Sequence, residues 1–241
     1  MPAPETSPSG EPDSNGRSSG SKAAWLRETV VILASALLLS LIIKTFLFQA
    51  FYIPSASMQD TLIEGDRVLV TKLAPGPLDV HRGDAVVFKD PGGWLPPVVT
   101  EQQSPVGEWV TSVLTYVGLL PQDSGEHLIK RIIGLPGDHV ASEGGGAPVT
   151  VNGVEISEPY VRAGSIPSEV EFDVTVPEGS IWVMGDNRQN SQDSRYHLGD
   201  PGGGAVPIDN VVGVAFVTVW PADRFTLLRN PGATFEPVPE Q

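Results

Sequence analysis

Apolar and polar positions follow three regimes along the chain. Residues 1–24 carry Ser, Gly, Pro and charged side chains with almost no large apolar residue. Such a segment cannot bury enough surface to offset its ordering entropy, so it reads as a disordered tail. At Trp25 the pattern becomes WLRETVVILASALLLSLII, closed by Lys44. A helix of roughly 20 residues spans about 30 Å, the thickness of the hydrocarbon layer, so 25–48 reads as a transmembrane anchor. Arg27, Glu28 and Lys44 lie near its ends, where long side chains reach water. A cleaved signal peptide is the alternative, and the long polar tail ahead of it weighs against that. Arg17, Lys22 and Arg27 precede the apolar run, whereas only Lys44 follows it before Arg67. The positive-inside rule then puts the N-terminus in the cytoplasm and everything after Lys44 outside.

From residue 49 to about 235 the period is that of strands, with 236–241 left as a short tail. DRVLVTKL, GDAVVFKD, EFDVTV and GSIWVMGD are short β-branched runs set between Pro and Gly. VTVNGVEI, residues 149–156, reads as a hairpin turning at Asn152-Gly153, where positive φ is needed. VVGVAFVTVW, residues 211–220, is too short to span a bilayer and reads as a buried strand. Helical periodicity is scarce, so this domain is expected to be mainly β. Residues 91–127 stand apart as a Pro-punctuated apolar insertion, with a short amphipathic helix expected over 108–120. Packing on the domain is the favoured reading. The alternative is an interfacial element with Trp94 and Trp109 at headgroup depth.

Composition removes several function classes. The chain has 241 residues, enough for one domain or two small ones, and a net charge of −14. That charge argues against nucleic acid as a partner. There are no cysteines, which excludes thiolate metal sites and cysteine nucleophiles, and the 26 Gly and 23 Pro favour turns and short strands. His81, His127, His139 and His197 are scattered without metal-ligand spacing. Asp186 to His197 resembles a calcium loop but lacks Gly at its sixth position and Glu at its twelfth. Gly16-Arg17-Ser18-Ser19-Gly20 matches a nucleophile-elbow pattern without a strand before it. Neither a metal nor a cofactor is expected.

Two segments retain chemical interest. FYIPSASMQDTL, residues 51–62, sets Ser55 and Ser57 just beyond the anchor, but no histidine lies near to serve as a base. HLIKRIIGLPGD places Lys130 among Leu128, Ile129, Ile132 and Ile133, with Lys130 and Ile132 on one face of a strand and Arg131 and Ile133 on the other. A lysine there is ordinarily a snorkelling surface residue. It is also how a general base is made: unperturbed, the neutral amine is disfavoured at pH 7 by ~4.6 kcal/mol, and burial reduces that deficit.

Read together, IPSASMQDTLIEGDRVLVTK, HLIKRIIGLPGD and MGDNRQNSQDSRYHLG, in this order behind one anchor, closely resemble the type I signal peptidases (leader peptidases) of bacteria. The resemblance implies a catalytic domain of antiparallel sheets in which Ser57 is the nucleophile and Lys130 the general base. It implies Ser55 as a hydroxyl donor to the oxyanion hole, Ser191 as the residue orienting the lysine, and Asp186, Asp193, Arg131 and Arg195 as braces. Ile53, Pro54, Met58, Leu62, Leu128 and Ile129 would line a pocket for small side chains one and three residues before the cut. Implied partners are preprotein signal peptides and the lipid bilayer. Two departures are visible: Asp60 stands where the family usually has Pro, and Gln189 where it usually has Asp. Two rivals remain. A self-cleaving repressor-type protease shares the chemistry but binds DNA, which the anchor and the acidity oppose. A non-catalytic anchored module would leave Ser57 and Lys130 as packing residues.

Overall fold

The computed structural model describes residues 19–95 and 126–239. The helix expected over 108–120 and Trp109 lie outside the described residues. The chain divides into two compact units, residues 1–42 and 43–241. Helix α1 runs from Ser19 to Phe46. It begins within the stretch read as a disordered tail, where Lys22, Ala23 and Ala24 are good helix formers. Among the described residues it is the one helix long and apolar enough to cross a membrane, over Ala24–Leu41. Its end at Phe46 falls short of the anchor's expected limit at 48, because Phe48 already opens a strand.

Twelve strands follow among the described residues: β1 (Phe48–Tyr52), β2 (Arg67–Thr71), β3 (Ala85–Lys89), β4 (His127–Gly134), β5 (His139–Ser142) and β6 (Thr150–Val151), then β7 (Val154–Glu155), β8 (Phe172–Thr175), β9 (Ser180–Met184), β10 (Val206–Pro207), β11 (Val211–Trp220) and β12 (Thr226–Leu227). They form two antiparallel sheets. The larger has the order β1-β2-β11-β3-β4-β9-β10, with β12 on β11, and the smaller the order β7-β6-β5-β8. Asn152 and Gly153 turn the β6–β7 hairpin with φ of 51° and 77°, the two consecutive positive angles that a tight hairpin of this hand requires.

Strand β4 sits where three apolar clusters meet. Ile129 belongs with Phe51, Met58, Leu62 and Val70, Ile132 with Phe88, Trp94 and Val183, and Ile133 with Val140, Phe172 and Trp182. Both faces of the strand are therefore covered, and a lysine in its middle has no face from which to reach water. Trp94 is buried, edge-on to Phe88 and stacked on His197 at 4.3 Å. That places it in the core and removes it from the interfacial role considered for it.

Besides the marginal strands β10 and β12, the large sheet leaves two stretches of edge open. Among the described residues β1 pairs only with β2, and residues 127–130 of β4 have no ladder partner on the side where β9 joins at Arg131. In a flat sheet β1 and β4 would stand four inter-strand spacings, about 19 Å, apart. The rings of Phe51 and His127 are instead 5.3 Å apart. The sheet curls, and its two open edges approach each other.

Candidate active site

Ser57 lies in a single 3-10 turn, Ala56–Met58, that follows β1 after Pro54. Its side chain is buried, while Ser55, the extended residue just before the turn, is exposed. The two hydroxyl oxygens are 3.3 Å apart. The turn packs on β4, the strand that carries Lys130, and on the 3-10 turn Arg188–Asn190.

Three contacts from the 185–187 segment fix the Ser57 turn. The Asn187 backbone N–H donates to the Ser57 carbonyl at 3.0 Å, and its side-chain Nδ2 donates to the Ala56 carbonyl at 3.0 Å and to Gln59 Oε1 at 3.4 Å. Gly185 permits the approach: a Cβ there would stand 2.6 Å from the Ser57 carbonyl oxygen and 2.2 Å from Ser191 Oγ. Ser57 and Ser191 thus meet across the one position that has no side chain. Ser191 is 4% exposed, and its Oγ is buried without a hydrogen-bond partner among the described residues.

Lys130 is 4% exposed and forms no ion pair among the described residues. Burial lowers its pKa from 10.5 to about 8, with Asp193 and Asp186 pulling it up and Arg195 pushing it down. The nearby carboxylates fail to hold the ammonium because each is already engaged. Asp193 accepts from Arg195 Nε and Nη2, both at 2.9 Å, and from the Gly185 N–H at 2.9 Å. Burial works against the Asp193 carboxylate, and the Arg195 bonds overcome it and keep its pKa low. Asp186 accepts from Arg131 Nε at 2.8 Å and Nη2 at 2.5 Å, and from Thr61 Oγ1 at 2.6 Å. With both charges neutralised locally, desolvation decides the state of the lysine.

The apolar residues expected around the cut divide. Ile53, Met58, Leu62 and Ile129 share one cluster. Pro54 is exposed at its rim. Leu128 packs instead with the Phe88 and Ile132 cluster, because successive strand residues point to opposite faces. The bracing pairs Arg131–Asp186 and Arg195–Asp193 form as ion pairs. Reading the sequence missed Asn187, which sits in the quoted motif but whose amide bonds span 131 and 128 positions. It also missed the Glu158–Arg188 ion pair and Tyr160, whose ring lies 4.3 Å from the Arg131 guanidinium carbon. Nothing in the sequence near residue 158 marks that partnership.

Comparison with known proteins adds family membership. A sequence model described as signal peptidase, peptidase S26, matches residues 26–220. The chain belongs to this signal peptidase family. Relatives include a probable signal peptidase I of Mycobacterium leprae, 35% identical over 252 residues covering 93% of this chain and 86% of that protein. A signal peptidase I of Mycobacterium tuberculosis is 35% identical over 229 residues, covering 87% of this chain and 77% of its own length. A crystal structure of a signal peptidase I from Enterococcus faecalis is 27% identical, covers 57% of this chain and 97% of that chain, and gives a TM-score of 0.36. Peptidase S26 members are serine endopeptidases, and this chain is a peptidase that cleaves signal peptides. Within the signal peptidase pattern, Asp60 has a physical consequence. Its φ is 78°, a conformation closed to proline, and its carboxylate accepts the Ala163 N–H at 3.1 Å. The departure therefore exchanges a rigid ring for a turn tied to another loop.

Proposed function

We propose that this chain is a membrane-anchored serine–lysine endopeptidase in which Ser57 is the nucleophile and Lys130 the general base. The observation that carries the reading is a buried amine with its charge compensation withheld, on a strand packed against a buried serine. The neutral Lys130 amine takes the Ser57 hydroxyl proton as Oγ attacks the scissile carbonyl carbon, and the resulting ammonium returns a proton to the leaving amine. Water then repeats the sequence on the acyl-enzyme ester. The developing oxyanion is held by the Ser57 backbone N–H and the Ser55 hydroxyl. Ser191, held against Gly185 with its hydroxyl uncommitted, orients the amine, and Asp186, Asp193, Arg131 and Arg195 brace the two strands around it.

The acyl side of the substrate binds as an added strand between the two open edges, β1 and residues 127–130 of β4. Backbone hydrogen bonding then supplies general affinity for any extended peptide. Ile53, Met58, Leu62 and Ile129 form the pocket for the small side chain just before the cut, and small side chains are preferred there and two positions earlier. In the proposed organisation the N-terminal tail is cytoplasmic, the apolar part of α1 up to Phe46 forms the membrane anchor, and the domain that opens with β1 at Phe48 is extracytoplasmic and catalytic. Thirteen positions of chain separate Lys44 from Ser57, a short tether for an enzyme whose substrates carry their cleavage site close to a membrane-bound signal.

Detergent-solubilised protein incubated with a preprotein whose signal ends in Ala-x-Ala, with sequencing of the new N-terminus, tests the activity. Ser55→Ala is expected to slow this reaction roughly 10²–10³-fold, the usual cost of one oxyanion donor. A Ser55→Ala enzyme with normal turnover removes Ser55 from the oxyanion hole.

A further inference from the structure

One buried nitrogen near the proposed substrate channel, on His127, has no role in the serine–lysine chemistry. His127 opens β4, two residues before Ile129 and on the same face of the strand. Its ring lies against Phe51 at 5.3 Å, the contact that closes the two open edges of the large sheet. Its Nδ1 is buried and has no hydrogen-bond partner among the described residues. Burying such a nitrogen unsatisfied is costly, so one left without a partner among the described residues, beside the substrate channel, points to a partner that arrives with the substrate.

The strand period supplies the register. Residues two apart on a strand lie about 6.6–6.8 Å apart along it, and the same spacing separates alternate side chains of a peptide added alongside. If Ile129 borders the pocket for the side chain at −1, the next pocket on that face is bounded by His127 and Phe51 and receives the side chain at −3. Beyond Lys130 the strand is paired on both sides, so the added peptide lies over residues 127–130 and carries the acyl side of the substrate.

We propose that His127 is a specificity-determining residue that favours a hydroxyl-bearing side chain, Ser or Thr, three residues before the scissile bond. This rests on the substrate channel inferred above. Burial, and then the nearby Lys89 charge, keep the pKa of the ring below its usual value, so imidazole is the form present at neutral pH. Its Nδ1 either donates or accepts, depending on the tautomer, and a hydroxyl satisfies both cases whereas Val satisfies neither. Phe51 bounds the same pocket and limits it to small side chains.

The test compares two preproteins that differ only at −3, Ser against Val, and two that differ only at −1, Ser against Ala, with kcat/KM measured for each. In His127→Phe, which keeps the ring and loses the nitrogens, the Ser-over-Val preference at −3 is expected to fall about 3- to 10-fold. The preference at −1 is expected to stay as it is, and His127→Gln, which restores polar atoms, to recover part of the −3 preference. An unchanged −3 preference in both variants overturns the proposal, as does a change confined to −1. Should His127→Phe fail to fold, the His127→Gln and wild-type ratios decide alone, with a wild-type enzyme that favours Val at −3 overturning it. Failure of the parent reading is separate, because it appears as undiminished cleavage by Ser57→Ala whatever the −3 ratios are.

Discussion

Ser57→Ala is expected to abolish preprotein cleavage while leaving the protein folded. The substitution removes one hydroxyl whose neighbour within hydrogen-bonding range is Ser55, so little of the packing depends on it. The turn itself is held by backbone and Asn187 contacts that the substitution leaves in place. Nothing else in the turn can form an acyl-enzyme except Ser55, and Ser55→Ala is expected to leave residual activity where Ser57→Ala leaves none. Single-turnover assays with the Ala-x-Ala preprotein, alongside circular dichroism, check both halves. Undiminished turnover by Ser57→Ala with complete loss in Ser55→Ala would exchange the roles of the two serines.

Lys130→Arg is expected to be as inactive as Lys130→Ala, although it conserves the charge. The role requires a neutral nitrogen, and a guanidinium does not deprotonate in a protein. A lysine serving only as a counter-ion would tolerate the change at modest cost. The same reasoning sets the pH profile. With the Lys130 pKa lowered to about 8, activity should rise with pH through that value and level off above it, two or more units earlier than an exposed lysine allows. Steady-state rates from pH 6 to 11 check this. A flat profile, or an active Lys130→Arg enzyme, assigns the base elsewhere.

Short-range features were legible in the sequence. The apolar run before Lys44 is a helix, the β-branched runs are strands, and Asn152-Gly153 is a turn, because each is dictated by period or by a residue's own backbone preference. The helix's true start at Ser19 was not legible, because the apolar pattern begins only at Trp25 while Lys22-Ala23-Ala24 continues a helix without being apolar. Within the candidate site, alternation along β4 separated Lys130 from Arg131, but it equally separates Leu128 from Ile129, and grouping them in one pocket neglected that. What periodicity cannot supply is contact between distant segments. The burial of Lys130 depends on three clusters drawn from the whole domain, and the clamp on the nucleophile turn depends on Asn187, far along the chain. Lys130 on its own segment reads as a surface residue, and only the tertiary fold removes its route to water.

That burial also bears on how long the protein survives. Between pH 8 and 10.5 the unfolded chain holds a proton on Lys130 that the folded chain has released, so stability from this group rises with pH across that window. At pH 7 the folded state carries the full penalty, on the order of 3 kcal/mol, which is a large share of an ordinary domain's margin. Lys130→Met, similar in length and without charge, should therefore raise the melting temperature at pH 7, and its advantage should shrink toward pH 10. The residue proposed to make the enzyme work is the one whose loss should make it more durable. A melting temperature unchanged or lowered in Lys130→Met at pH 7 would mean that the amine is not a strained charge in the folded state.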